Sequence, residues 1–479
     1  MTKKIFFLFS SLDRPEVDIM YAKIIEAASS GSDVNIYACT GNVSCQANPL
    51  GLISQCKSCV SQTKKYIQIV EEKIKNTKVN YIDYRNFSYK IEDISFKSIK
   101  NWSYDNTDSG YATLSTYIDH TRDHLARDNN PFSQFLLKTI SLGYVNTYEM
   151  AGSILNNEDA NSIIHVFNGR LTSSRAVLRA ARKNGFEVDI IEYIKGTSRI
   201  ESFRNTLPHN IYEINKRIEQ AYMENKYKLK DLAGKFYSAK ADGLSIFDRS
   251  YTNKQIPGTV PEGWSSQKFK VVLFTSSEDE FQAIGKEWDD KLFIDQIDGI
   301  RHIAKVFEKD VKLYVRIHPN VANANRKYLK QIEILNSIEN INIISPSSKI
   351  SSYQLLFDAD LVVSFGSTIG IEAAYYGKIS VVLGPSFYTE LDSVYRPKSI
   401  AELDNMLFNL KSLRPKPAFG AEKYALFCMV RGYEIEQFAL THDGKFKVDG
   451  GIVDYEKFRD IRYIFAKIIK KSFCYIAGI

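Results

Sequence analysis

Cysteine is scarce in this chain, six among 479 residues, which excludes a disulfide scaffold. Long apolar runs are missing as well, which removes the membrane spans that such runs would form. Charge of one sign never masses: 63 Lys and Arg are scattered among 56 Asp and Glu, for a net charge of +7. A nucleic-acid-binding protein needs a clustered basic face, so no nucleic-acid partner is expected. There is no internal repeat and no low-complexity tract.

What remains is the composition of a folded protein, 44% apolar and 25% charged. A chain this long exceeds what one hydrophobic core supports, so two domains of roughly 200 residues each are expected. The opening "MTKKIFFLFSSLDRPEVD" pairs two lysines with an apolar run, but charge follows at once. It reads as a first β-strand of a protein that stays in the cytoplasm.

Strand-like and helix-like segments then alternate. "KIFFLF", "DVNIYAC", "VNYIDY", "SIIHVFNG" and "FEVDIIEY" read as strands, with amphipathic helices between them and a helical, tyrosine-rich insertion over 85–153. "NKQIPGTVPEGWSSQ" has a linker's composition. The alternation restarts with "KFKVVLFT", "VKLYVRIH", "INIIS", "DLVVSF" and "ISVVLG". The expected fold class is α/β: two Rossmann-like doubly wound domains, 1–255 and 268–400, facing a cleft, followed by C-terminal helices over 401–479. Ligands of such sheets gather at the carboxyl ends of the strands.

Three loops of the second domain follow strand ends. "FTSSEDEF" carries Glu278 and Asp279, and "YVRIHPN" presents Arg316, His318 and Pro319. In "VVSFGSTIGIEAAYYGK" a strand enters Gly366, Ser367 and Thr368 and then a helix bearing Glu372. Backbone N–H groups and hydroxyls at a helix start suit a phosphate. Glu372 lies one turn past Thr368, in reach of ribose hydroxyls, and Arg316 and His318 would address the same phosphate. Each signal has a plain alternative: capping, a turn, a helix-surface carboxylate.

These residues carry a resemblance. "YVRIHPN", followed by "DADLVVSFGSTIGIEAAYYGKISVVLGPSFY", resembles the bacterial capsule polysaccharide biosynthesis family, which includes transferases of Kdo from its CMP-activated form. Sialyltransferases of GT-B fold share a similar His-Pro element and a Ser/Thr element. The resemblance covers mainly 268–388 and implies a glycosyltransferase without a cofactor. Its donor would be a nucleotide sugar, a CMP-activated Kdo or nonulosonic acid, with CMP held by His318, Pro319, Ser367 and Thr368. The acceptor would be a glycan or glycolipid. The acidic pair followed by glycine, found in the first domain of the sialyltransferase pattern, has no clear counterpart here. Glu278, Asp279 and Glu192 therefore all stand as candidate catalytic carboxylates. Asn168, Gly169 and Arg170 follow a first-domain strand and are candidates for an anionic acceptor. A nucleotide-sugar epimerase and a non-catalytic capsule-assembly protein remain as alternatives.

No metal is expected at the reaction centre, because the only Asp-x-Asp, Asp358 to Asp360, reads as a helix end and strand start. Four cysteines, Cys39, Cys45, Cys56 and Cys59, fall in one short segment, where four thiolates, buried thiols and a structural pairing are all open. His120 and His124 have the i, i+4 spacing of a zinc pair but lack the glutamate of a zinc protease. The basic, aromatic C-terminal segment with Lys467, Lys470 and Lys471 reads as an amphipathic helix that either packs on the protein or touches the inner membrane.

Overall fold

The computed structural model describes residues 2–9, 16–41, 44–73, 77–82, 91, 94–244, 251–307, 311–323, 326–440, 446–448 and 451–452. The C-terminal basic segment lies outside them. The chain forms two compact units, Met1–His209 with Gly432–Ile479, and Asn210–Arg431.

The first unit contains β1 (Lys4–Leu8), α1 (Glu16–Ser29), β2 (Val34–Cys39), α2 (Ile53–Lys73), β3 (Thr77–Ile82), α3 (Ser109–Thr121) and α4 (Pro131–Leu155). β4 (Ile163–Phe167), α5 (Thr172–Lys183), β5 (Glu187–Tyr193) and β6 (Arg199–Arg204) follow. The second unit contains α6 (Ile211–Asn225), α7 (Leu229–Ala241), β7 (Val271–Phe274), α8 (Glu278–Phe281), α9 (Gln296–Phe307), β8 (Leu313–Arg316) and α10 (Arg326–Leu335). It continues through β9 (Ile341–Ile344), α11 (Ser352–Asp358), β10 (Leu361–Ser364), α12 (Ile369–Tyr375), β11 (Ile379–Val382), α13 (Ile400–Phe408) and α14 (Phe419–Val430). The chain then rejoins the first unit as β12 (Tyr433–Glu434).

Of the three sheets among the described residues, the two large ones are doubly wound; the third is a small antiparallel sheet within 438–452, where helices were expected. The first runs β12-β6-β5-β4-β1-β2-β3, with β1 to β5 parallel and β6 and β12 antiparallel at one edge. The second runs β11-β10-β7-β8-β9 and is parallel throughout. Strand order reverses between β1 and β4 in the first sheet and between β7 and β10 in the second, the points where such sheets open a crevice. β7, β8 and β10 are buried along their whole length because helices cover both faces.

Two expectations change. β6 falls in a segment that reads as helical and charge-mixed, and pairing with β5 across the turn at Gly196 on one side and with β12 on the other makes it a strand. The expected boundary near 255–268 is not where the units divide. α6 and α7 pack on α14 within the second unit. The Pro- and Gly-rich stretch is part of that unit's wall: Trp264 is fully buried, edge-on to Tyr314 at 4.9 Å, and its indole N–H donates to Asp358 at 3.1 Å. Three tyrosines of the helical insertion are core. Tyr117, Tyr144 and Tyr148 are buried and bonded to Ser133, Thr107 and Asp105.

Candidate functional site

At the carboxyl edge of the second sheet, the loops after β7 and β8 are latched together. His318 N donates to Thr275 Oγ1 at 2.8 Å, and Asn320 Nδ2 donates to Ser277 Oγ at 2.9 Å and to Glu280 Oε1 at 2.7 Å. Pro319 starts a short 3-10 turn, Pro319–Asn323. The His318 ring accepts from Asn320 N at Nδ1 (3.2 Å) and meets Tyr251 edge-on at 4.8 Å. With Nδ1 accepting, the neutral ring carries its proton on Nε2 and is a donor there.

Where β7 and β10 part, a pocket of about 500 Å³, mouth included, opens among Ser276, Glu278, Trp288, Phe293, Gln296 and Gly366. Glu278 is 5% exposed. Burial pushes its carboxyl up to about 7, against the pull of Lys291, whose Nζ stands 3.9 Å away, and of the Gln296 N–H at 3.4 Å. Gln296 also bonds Ser276, accepting from its N–H at 2.9 Å and donating to its Oγ at 3.0 Å. A carboxyl that titrates near neutrality in a polar-and-aromatic pocket is suited to proton transfer. Gln296, Lys291 and Trp288 escaped the sequence reading. They follow no strand end, and only the packing of α9 and the preceding loop brings them in.

The turn after β10 is built around Gly366. Its φ of +99° is left-handed, and a Cβ there would sit 2.6 Å from the Pro385 carbonyl oxygen. Thr368 heads α12 without a side-chain capping bond, so capping does not account for its hydroxyl. Gly370 N and Ile371 N bond back to Ser367 O and Thr368 O, which leaves the N–H groups of Ser367, Thr368 and Ile369 without a hydrogen-bond partner among the described residues. Ser276 Oγ reaches Phe365 O at 3.4 Å, tying this turn to the loop after β7.

Two predicted donor-site residues are engaged elsewhere. Arg316 is buried, and its NH1 and NH2 donate to the carbonyls of Ser345 and Ser348 at 2.9 and 3.0 Å. It clasps the loop after β9, and burial lowers its guanidinium to about 10. Glu372 is 3% exposed, accepts from Tyr353 Oη, and stands 3.8 Å from Lys240 Nζ. The helical spacing to Thr368 is right, but the packing of α7 and α11 engages this carboxylate in the interior. Asp279 lies in the first turn of α8 beside Glu278.

In the first unit, the ends of β4 and β5 bring four predicted residues together. Asn168 and Gly169 both have left-handed φ, +58° and +71°, and a Cβ on Gly169 would meet Leu207 at 2.9 Å. Asn168 donates to the Glu192 carboxylate and accepts from Arg170 N at 3.1 Å. Glu192 also accepts from Tyr193 N at 3.0 Å, and burial raises its carboxyl. The Arg170 guanidinium stands 3.4 Å from Asp119. Sequence reading missed the support beneath them: fully buried Arg175 donates to Gly169 O at 2.6 Å and, with Arg179, to Asp108.

Asp358 and Asp360 have structural partners. Asp358 accepts from Trp264, and Asp360 accepts from Lys270 N at 2.8 Å. The histidine pair does not share a helix face. α3 ends at Thr121, Arg122 turns left-handed at φ +58°, and His124 lies beyond. His120 Nε2 donates to Gln46 O at 2.6 Å.

No family model matches the chain, and no curated protein matches its sequence. Among solved structures it is similar to the β-Kdo 2,4 transferase of Thermosulfurimonas dismutans KpsC, at 15% identity and a TM-score of 0.35 over 55% of this chain and 78% of that one. It is similar to the β-Kdo 2,7 transferase of the same KpsC at 15% and 0.33, over 67% and 89%. The UDP-GlcNAc 2-epimerase of Methanocaldococcus jannaschii matches at 11% and 0.27, over 90% and 100%. The two doubly wound sheets of this chain make it a two-unit Rossmann-like α/β protein.

Proposed function

We propose that this protein is a glycosyltransferase whose second unit holds a nucleotide-sugar donor, most consistent with a CMP-activated Kdo or related acid, for bacterial surface polysaccharide synthesis. The observation that carries the reading is Glu278, a buried carboxyl titrating near 7 in a pocket at the switch point of a parallel sheet, beside the Gly366–Thr368 turn. His318 and Thr368 follow strands on either side of β7, two strand spacings or about 10 Å apart. A nucleoside monophosphate bridges such a gap. Phosphate oxygens would take the N–H groups of 367–369 and the hydroxyls of Ser367 and Thr368, with His318 Nε2–H as a further donor. The aromatic wall of Phe281, Trp288 and Phe293 suits a flat ring.

In the transfer, the acceptor hydroxyl loses its proton to a carboxylate as its oxygen bonds the anomeric carbon. The bond from that carbon to the phosphate oxygen breaks, and CMP leaves with the electron pair. Glu278 is the preferred base, and Asn168, Arg170 and Glu192 of the first unit are proposed to recognise the acceptor. Among the described residues no helix is long and apolar enough to cross a membrane. The proposed setting is the cytoplasm, with the C-terminal basic segment touching the inner membrane.

Thermal-shift titration with CMP, UDP and GDP tests the donor. A ligand at a hundred times its dissociation constant adds about 2.7 kcal/mol. CMP should raise the midpoint and His318→Ala should remove the effect. A response to UDP alone would overturn the CMP assignment, and release of free epimerised sugar without acceptor would replace transfer by epimerisation.

A further inference from the structure

The four clustered cysteines play no part in the proposed transfer, yet the fold gathers them. Cys39 ends β2, Cys45 sits in the connection that follows, and Cys56 and Cys59 lie on the first turns of α2. All four line one cavity of about 320 Å³, mouth included. All four carry thiols, with Cys56 buried and the others half-buried.

The backbone is shaped for their approach. Gly41 has a φ of +92°, and a Cβ there would lie 3.0 Å from Cys56 Cβ, so glycine lets the end of β2 close on α2. Cys45 and Asn48 exchange backbone hydrogen bonds of 3.3 and 3.0 Å, pinning the turn that carries Cys45. Two N–H groups then point at sulfur: Gly41 N donates to Cys39 Sγ, and Asn48 Nδ2 donates to Cys56 Sγ, both at 3.2 Å. A neutral thiol is a weak acceptor. Donors to sulfur are the outer bonds of metal thiolate sites, where they offset charge on the ligand.

We propose that Cys39, Cys45, Cys56 and Cys59 hold one zinc ion as four thiolates and staple β2 to α2. Among the described residues no three His, Cys, Asp or Glu side chains already stand in a metal-holding arrangement. Closing the site therefore needs χ1 rotation, and a change of well moves a cysteine sulfur by about 3 Å. Each ligand releases its proton on binding. The staple would set the following loop, which is built into the unit's carboxyl edge: Gln46 accepts from Ser174 N at 3.0 Å, donates from its own N to Ser173 Oγ at 3.1 Å, and receives the His120 bond. The proposal does not depend on the transferase reading.

The test is the metal content of the full chain produced with zinc in the medium, by inductively coupled plasma mass spectrometry. The expected result is about one zinc per chain, released when the thiols are titrated with an organomercurial. Cys39→Ser, Cys45→Ser, Cys56→Ser and Cys59→Ser should each weaken zinc retention against a chelator at least about tenfold, while Cys428→Ser, in the other unit, should retain it. Wild-type protein that holds no zinc as isolated and takes up none on reconstitution overturns the site, as does retention in the four serine variants. Iron with visible absorbance overturns the choice of zinc. If a serine variant fails to fold, the wild-type stoichiometry and its loss on thiol titration decide alone.

Discussion

Replacing Glu278 by glutamine should stabilise the protein and inactivate it. Raising the carboxyl from its ordinary 4.5 to about 7 means that the unfolded chain releases its proton between those values while the folded chain keeps it. Stability therefore falls as pH rises through this window, by about 3 kcal/mol in all, and the loss is complete above 7. Lys291, Asp279, Asp295 and Tyr328 face the same carboxyl. Glutamine removes the penalty but also weakens the contacts to Lys291 and Gln296, a loss of about 1 kcal/mol. The net expectation at pH 8 is a gain of about 2 kcal/mol, or roughly 4–8 °C in the second unit's midpoint, and little difference at pH 5. If Glu278 is the base, transfer should drop at least about 100-fold. Differential scanning calorimetry of both proteins from pH 5 to pH 8, paired with a transfer assay, checks the two halves separately. A Glu278→Gln variant less stable than the parent at pH 8, or a parent whose stability does not fall across this range, would refute the desolvation argument. Full activity in the variant would refute the catalytic one.

Gly366→Ala should cost about 2 kcal/mol or more, since it combines a left-handed backbone with a contact of 2.6 Å to Pro385 O; urea unfolding measures it. Asp108→Asn leaves Arg175 buried without its counter-charge, an expected loss of about 3–5 kcal/mol. Burial alone would raise the Asp108 carboxyl, but Arg175 and Arg179 outweigh it and hold it well below the ordinary 3.8. Its contribution is thus present above pH 4 or so and lost as pH falls below that, which acid unfolding of parent and variant should show as a difference confined to pH above the transition. Arg316→Met should destabilise the second unit by loosening the loop that carries Ser345 and Ser348, without changing which nucleotide shifts the midpoint, because its N–H groups serve carbonyls; nucleotide titration of the variant tests this.

Periodicity made the parallel strands and their helices legible, because a buried parallel strand must be apolar throughout and its crossover helix must be amphipathic. The loop positions of His318, Gly366, Ser367, Thr368 and Glu278 were legible for the same reason, since they follow strand ends. Antiparallel β6 was not, because "RIESFR" has no alternating apolar signature and becomes a strand only through its pairing with β5 and β12. Helical phase put Glu372 beside Thr368 without showing that Tyr353 and Lys240 already hold its carboxylate. Strand-end position put Arg316 beside His318, yet alternate residues of a strand face the same side only until the strand ends, and the Ser345–Ser348 carbonyls claim the guanidinium. The sequence by itself determined that this chain builds two wound sheets with a Gly-Ser-Thr turn and a His-Pro turn at strand ends, since local pattern dictates element type. Which side chains meet in the pocket, which carboxyl is desolvated to near-neutral pKa, and that four thiols share one cavity were decided only by tertiary structure, because burial and long-range neighbours are properties of the packed chain.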